Sequence, residues 1–219
     1  MSTSIGRTLV KLGIALAALA VLGVLFVRSA RSARSEPFEV ARGRMTGWTL
    51  AIEPPDSPSG VLLSLQPQRE LAGALFNEVF ARSGESLSGP VPPGIPLVLR
   101  SEIDERTAAS TVTPQALLSL AREAGLEAAT FVPRCMAHRR ISAPGVVRQL
   151  YFVLFDLPAF DAFRRQVAQR LREAGATSPF DPAAQSPALI VAASDAAFSR
   201  WLPLKADAEK ECFAPVTVR

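Results

Sequence analysis

Four landmarks recur in this chain at a single spacing, and that spacing limits the fold more than any other feature. Pro67 is matched by Pro158, Gly84 by Gly175, Pro96 by Pro187 and Asp104 by Asp195, each pair 91 residues apart. In both halves an apolar run ends at the first proline and a helical pattern then runs to the glycine. A loop leads through the second proline into another apolar run. The same strand–helix–loop–strand order met twice in register predicts a duplicated α+β domain with antiparallel or mixed sheets.

The local patterns supply the elements. Trp48, Leu50 and Ile52 alternate within residues 45–54, which predicts a strand, and "VLLSLQP" (61–67) reads as a buried one. A helix follows over about 68–83, with Leu71, Leu75, Val79 and the adjacent Phe76 and Phe80 on one face. The loop "GPVPPGIP" leads into a strand over 97–103. Thr113 and Pro114 set an N-cap and a first-turn proline for a helix that stops at Gly125. Strands over about 129–142 and 147–156, joined by "APG", predict a hairpin. From Pro158 a helix places Phe160, Phe163, Val167 and Leu171 on one side. Asp156, Asp161, Arg164 and Arg165 are left for an exposed first turn. After the "QSPALIV" strand, Asp195 is expected to cap a short helix through Trp201, and "FAPVTV" to close as a strand. The lobes are read as 45–112 and 113–219.

A hydrophobic fraction of 48% excludes disorder as the main state. The net charge of +4 is unevenly placed. Residues 1–34 hold Arg7, Lys11, Arg28, Arg31 and Arg34 with no acid, so 35–219 carries −1 and shows no charge excess for nucleic acid. Leu12–Val27 is free of charge, and about twenty residues of helix span a bilayer core. Residues 1–34 are therefore read as a membrane anchor with its span at about 8–27, followed by a basic flank and a linker over 35–44. A cleaved signal peptide is the competing reading, and three arginines in "RSARSARS" disfavour it. The expected location is a bacterial inner membrane, with the lipid bilayer as one partner and another membrane or envelope protein as a second. The side stays open. Arginines after the span favour a cytoplasmic domain, whereas a single N-terminal signal-anchor commonly delivers its domain outward. Cys135 and Cys212 form a disulfide in an oxidising compartment or remain buried thiols in a reducing one; both readings stand.

The layout around the prolines resembles the two-histidine phosphoesterase family. "FDPAAQSPALIV" is similar to that family's second motif region and "GIPLVLRSEID" to its first, over roughly residues 60–200. The resemblance implies two lobes with a His-x-Thr/Ser motif on a central strand of each, facing one another across a cleft. Carried over, the histidines fall on Leu97 and Ala188 and the hydroxyl residues on Leu99 and Ile190. Hydrocarbon neither transfers a proton nor donates to a phosphate. The chain holds one histidine, His138, so a two-histidine mechanism is excluded by count.

Elsewhere "CMAHRRIS" gathers charge, and Arg134, His138, Arg139 and Arg140 are the candidate ligand-binding residues for an anion. On a strand, Cys135 and His138 point to opposite faces, which disfavours a Cys–His pair. A solvated basic edge strand is the simpler account of the run. No ligand-spacing pattern for a metal and no cofactor motif occurs, so neither is expected. Glu102, Asp104 and Glu105 read as a helix-opening cap. The expected function is that of a membrane-anchored, non-catalytic binding or scaffolding protein. The alternative is a phosphate-ester hydrolase, or an anion-binding pseudoenzyme, using the cluster around His138.

Overall fold

A computed structural model describes residue 16 and residues 19–24, 35–103, 112–176 and 180–219. The chain separates into two units, Met1–Glu36 and Pro37–Arg219. In the first, Leu16 and residues 19–24 are helical and exposed. Among the described residues no helix is long and apolar enough to cross a membrane. Most of the span read over 8–27, and the basic flank through Arg34, lie outside them.

The second unit is a mixed α+β domain. Its first sheet is antiparallel, in the order β2 (Thr49–Ile52), β3 (Val61–Gln66), β4 (Ile95–Leu99), and helix α1 (Arg69–Ser83) links β3 to β4. Helix α2 (Pro114–Glu123) leads to a long hairpin, β5 (Val132–Ala143) and β6 (Val146–Asp156). Helix α3 (Pro158–Glu173) then links β6 to β7 (Ala188–Ala193). The short helix α4 (Ala208–Glu211) precedes β8 (Cys212–Ala214), and the second sheet runs β7-β6-β5-β8 with antiparallel pairing throughout. β9 (Val216–Val218) pairs in parallel with β1 (Phe38–Val40).

Several of these elements follow from short-range signals. Leu71, Leu75 and Val79 recur every fourth residue and are the buried face of α1. Gly84 ends that helix in the left-handed region at φ 65°, donating its N–H to the Phe80 carbonyl. The Thr113 hydroxyl accepts from the Ala116 N–H and Pro114 opens α2, as the pair predicts. Gly145, at φ 76°, supplies the left-handed residue of the two-residue turn between Ala143 and Val146.

The two halves share strand register as well as order. Val61 lies opposite Leu99, and 91 residues on Phe152 lies opposite Ile190. Ser64 lies opposite Pro96, and Phe155 donates its N–H to the Pro187 carbonyl at 3.0 Å. Each pairing carries a bulge, so the strands twist locally instead of running as ideal ladders.

Three boundaries differ from the sequence expectation. The linker read over 35–44 holds β1 and a 3-10 turn at Arg42–Met45. Phe38 and Val40 are buried there because β9 gives them a strand to pair with. That partner lies at the far end of the chain, so no local pattern announces it. The strand read over 97–103 stops at Leu99, since the Glu102 carboxylate turns back to accept the Leu99 N–H at 2.8 Å and closes a 3-10 turn. Residues 212–218 form two strands, β8 and β9, which go to different sheets.

Apolar side chains gather in two places. The main core packs α1, α2 and α3 against the sheets, with Trp48 stacked on Phe131 at 4.1 Å and Phe155 edge-on to both. A smaller cluster lies on the other face of the second sheet, where Trp201 and Leu204 cover Phe152, Leu154, Ala188 and Ile190.

Candidate functional site

The four positions that the family resemblance marks for catalysis are all buried. Leu97 is 0%, Leu99 3%, Ala188 1% and Ile190 3% exposed. Strands β4 and β7 come within 8 Å of each other, Cα to Cα. Even so, Leu97 belongs to the main core, whereas Ala188 and Ile190 belong to the cluster beneath Trp201 and Leu204. Alternation along a strand makes this division. Leu189 and Val191 face the main core, and their even-numbered neighbours Ala188 and Ile190 face the opposite way. These side chains have almost no access to solvent and no group that could act on a phosphate.

The basic run on β5 is split by the same alternation. His138 is half-buried, with its Nε2 2.9 Å from the Gln149 side-chain oxygen and its ring stacked 4.6 Å from that of Tyr151. Arg139 points to the other face. There it makes a two-point contact with the Glu211 carboxylate, Nη2 to Oε2 being 3.0 Å, and donates to the Lys205 carbonyl at 2.6 Å. Burial pushes the Glu211 carboxyl upward. The Arg139 hydrogen bond, the Asp207 N–H and the Arg139 charge outweigh it and leave the carboxyl below its ordinary value. Arg140 shares the His138 face and is exposed; Arg134, beyond a bulge at Pro133–Cys135, is exposed too. The structure therefore does not bring Arg134, His138, Arg139 and Arg140 to one pocket.

Cys135 and Cys212 are joined as a disulfide, with Cα atoms 5.7 Å apart. The bond ties the chain after Trp201 to β5. Together with the Arg139–Glu211 contact it holds residues 198–212 as a strap across the second sheet.

A groove of about 910 Å³ opens at the end of that sheet, between the start of α3 and the strap. Arg134 and Lys205 line it with Asp156, Asp161, Asp207 and Glu209, so acids outnumber bases. The Asp207 carboxylate is already engaged, as it accepts from the Glu209 and Lys210 N–H groups and pairs with Lys210 at 2.8 Å. Among the described residues no group of three His, Cys, Asp or Glu side chains could hold a metal ion.

The most organised polar feature lies elsewhere and corrects the reading of Arg164 as an exposed helix residue. Arg164 is 0% exposed. All five of its N–H groups donate: Nε to the Pro182 carbonyl (3.0 Å), Nη1 to the Leu97 carbonyl (2.8 Å) and Glu102 Oε2 (3.3 Å), and Nη2 to Glu102 Oε1 (2.7 Å) and the Asp181 carbonyl (2.6 Å). Gln185 donates to the same carboxylate at 2.9 Å. The Arg164 guanidinium thus fastens α3 to the backbone of β4 at Leu97. Glu102, read as a helix-opening cap, caps the end of β4 and receives this cation, while Asp104 and Glu105 lie outside the described residues. One signal was present in the sequence: Arg164 falls four residues after Phe160 and four before Ala168, on the apolar stripe itself.

A second carboxylate is buried just beyond the end of β2. Glu53 is 5% exposed and accepts from the Ser64 hydroxyl at 2.9 Å and the Ser57 hydroxyl at 3.2 Å. Comparison with known protein families, curated proteins and solved structures finds no match to this chain.

Proposed function

We propose that this chain is a membrane-anchored binding protein whose duplicated α+β domain has no catalytic role. The observation that carries the reading is the burial of Leu97, Leu99, Ala188 and Ile190, since a reaction centre needs both polar groups and access. The apolar run at Leu12–Val27 supports the anchor. The Cys135–Cys212 bond supports an outward-facing domain, because disulfides persist in oxidising compartments. The matched registers Val61–Leu99 and Phe152–Ile190 support an origin by duplication, as in the two-histidine phosphoesterase layout.

The alternative of an anion site around His138 is less well supported. Arg139 is committed to Glu211, and His138 pairs with Gln149 on the opposite face. The test is incubation of the purified full chain with 2′,3′-cyclic nucleotides. No turnover is expected, and turnover that survives His138→Ala would overturn the reading. Thiol labelling in intact cells checks the compartment: unreactive Cys135 and Cys212 that become reactive after reduction are expected, whereas free thiols from the outset place the domain on the reducing side.

A further inference from the structure

The hairpin of β5 and β6 outruns the sheet it belongs to. On one side β8 pairs only with Met136 and Ala137; on the other β7 pairs no further out than Leu150, and Ser194 bonds to Gln149. From Arg140 and Gln149 to the turn at Pro144–Gly145, each strand has only the other to pair with among the described residues. The end of this ribbon is apolar. Ile141 is 48%, Val146 47% and Val147 45% exposed, three of the six large hydrophobic side chains that the second unit leaves open among its described residues. The register puts Ile141 and Val146 on one face with Arg148, and Val147 on the other face with Arg140. Apolar surface therefore wraps the end instead of lying on one side. The charge behind it has one sign, since no Asp or Glu occurs from Val132 to Phe155, a stretch with four arginines. Arg139 is committed to Glu211, and Arg148 reaches Asp195 at 3.5 Å with its side chain 40% exposed. Arg140 is exposed and forms no ion pair among the described residues. Arg148 and Arg140 stand behind the turn like a collar, about 10–13 Å back at strand spacing.

We propose that the end of this hairpin dips into the surface of an anionic lipid bilayer, with Ile141, Val146 and Val147 at the level of the acyl chains and Arg140 and Arg148 among the headgroup phosphates. An end that is apolar on both faces suits a fluid medium, which closes around it, better than a rigid partner, which covers one face. Interfacial segments bury their apolar side roughly 5–10 Å deep, so the collar comes to rest near the phosphates. Arginine stems lie along apolar surface while the planar head makes two-point contact with phosphate. Penetration ends there, because the open edges of the ribbon carry backbone groups that the hydrocarbon core cannot satisfy. The inference rests on the anchored reading above and adds a second lipid contact. Ten residues separate Val27 from Phe38, a tether of at most about 40 Å that keeps the domain at high effective concentration beside the bilayer.

The test uses the full chain in vesicles of phosphatidylcholine and phosphatidylglycerol in equal parts, brominated in the upper acyl chain so that lipid contact quenches tryptophan. Trp48 and Trp201 are buried and give a constant background. Val147→Trp places a reporter at the hairpin end, and Val132→Trp places one at the opposite end of β5, where the side chain is also exposed. Quenching at Val147→Trp and none at Val132→Trp is expected. Adding Ile141→Ser and Val146→Ser should abolish it. Arg140→Gln should lower the ratio of inserted to free hairpin roughly fivefold, the factor for one basic side chain at an anionic surface. Vesicles of phosphatidylcholine alone should weaken quenching at least as much. Equal quenching of the two reporters, or none at the hairpin end, overturns the contact and points to a protein partner for Ile141, Val146 and Val147. Quenching unchanged by both Arg140→Gln and the loss of anionic lipid overturns the charge assignment. Flotation of the vesicles after an alkaline wash separates this inference from the anchor: chain lost in the wash overturns both, whereas chain retained with an unquenched hairpin overturns the contact alone.

Discussion

Helices α1 and α3 have nearly the same length, 15 and 16 residues, and each links two strands, β3 to β4 and β6 to β7, yet they are buried to different degrees. α3 buries Phe160, Phe163, Arg164, Val167, Ala168 and Leu171, whereas α1 buries only Leu71, Leu75 and Val79. The buried stripes do not coincide at the 91-residue spacing, since Leu75 and Val79 fall on the exposed Gln166 and Arg170. The buried side of α3 carries a cation with five hydrogen bonds, whereas Gly73 on α1 is exposed beside a groove of about 550 Å³. Chain order therefore sets which strands a helix links, and its own side chains decide how much of it is buried.

The strongest way to break this comparison is to remove that cation. Arg164→Met strands the Glu102 carboxylate in the interior, and losing one partner of a buried pair costs about 3–5 kcal/mol. Chemical denaturation of the full chain should read that loss, with part of it recovered when Glu102→Gln is added. A loss below about 1 kcal/mol would mean that the pair is not the fastening described here.

Next in size is the strap. Reduction of Cys135–Cys212, or Ser at both positions, should lower stability by roughly 2–4 kcal/mol, because the bond closes a long loop in the unfolded chain. Thermal unfolding with and without reductant measures it, and coincident transitions would show that the strap stays down without the bond.

A smaller effect comes from Glu211. Its folded pKa lies below the ordinary value, so its contribution is fully present above the ordinary carboxylate range. That contribution is lost as pH falls through the range toward the depressed folded value. Glu211→Gln should therefore cost about 1 kcal/mol at neutral pH and approach zero in acid. A mutant deficit that does not shrink on acidification would remove the Arg139–Glu211 pair as its cause.

The smallest effect sharpens the contrast by its sign. Gly73→Ala should stabilise by about 0.5–1 kcal/mol, since a helix-interior glycine loses more backbone freedom than alanine and the added methyl meets nothing. Arg164→Ala, at a fully buried position on α3, should destabilise instead. A stabilised Arg164→Ala, or a destabilised Gly73→Ala, in chemical denaturation would remove the contrast between the two helices.

Much of the framework was legible without coordinates because it rests on neighbours in sequence. The i, i+4 recurrence of Leu71, Leu75 and Val79, the Thr113–Pro114 cap, the glycine stop at Gly84 and the "APG" turn each act within a few residues. The structure has all four where they were expected. β1 was missed for the opposite reason. Phe38–Val40 has no pattern of its own and becomes a strand only beside Val216–Val218.

The candidate site divides along the same line. The apolar identity of Leu97, Leu99, Ala188 and Ile190 could be read directly, and so could the parity that separates His138 from Arg139. The burial of Arg164 could not, because its partner Glu102 is 62 residues away and its other acceptors are carbonyl groups that any sequence carries. Nor could the groove beside Gly73, since an unfilled volume belongs to several elements at once and to no single pattern. In this protein the chain by itself determined the elements and their twofold spacing, as periodicity and turn chemistry are local. Which charge is buried, which cysteine meets which, and where a groove is left were decided only when the helices and sheets packed. Desolvation and packing depend on distances that sequence order does not contain.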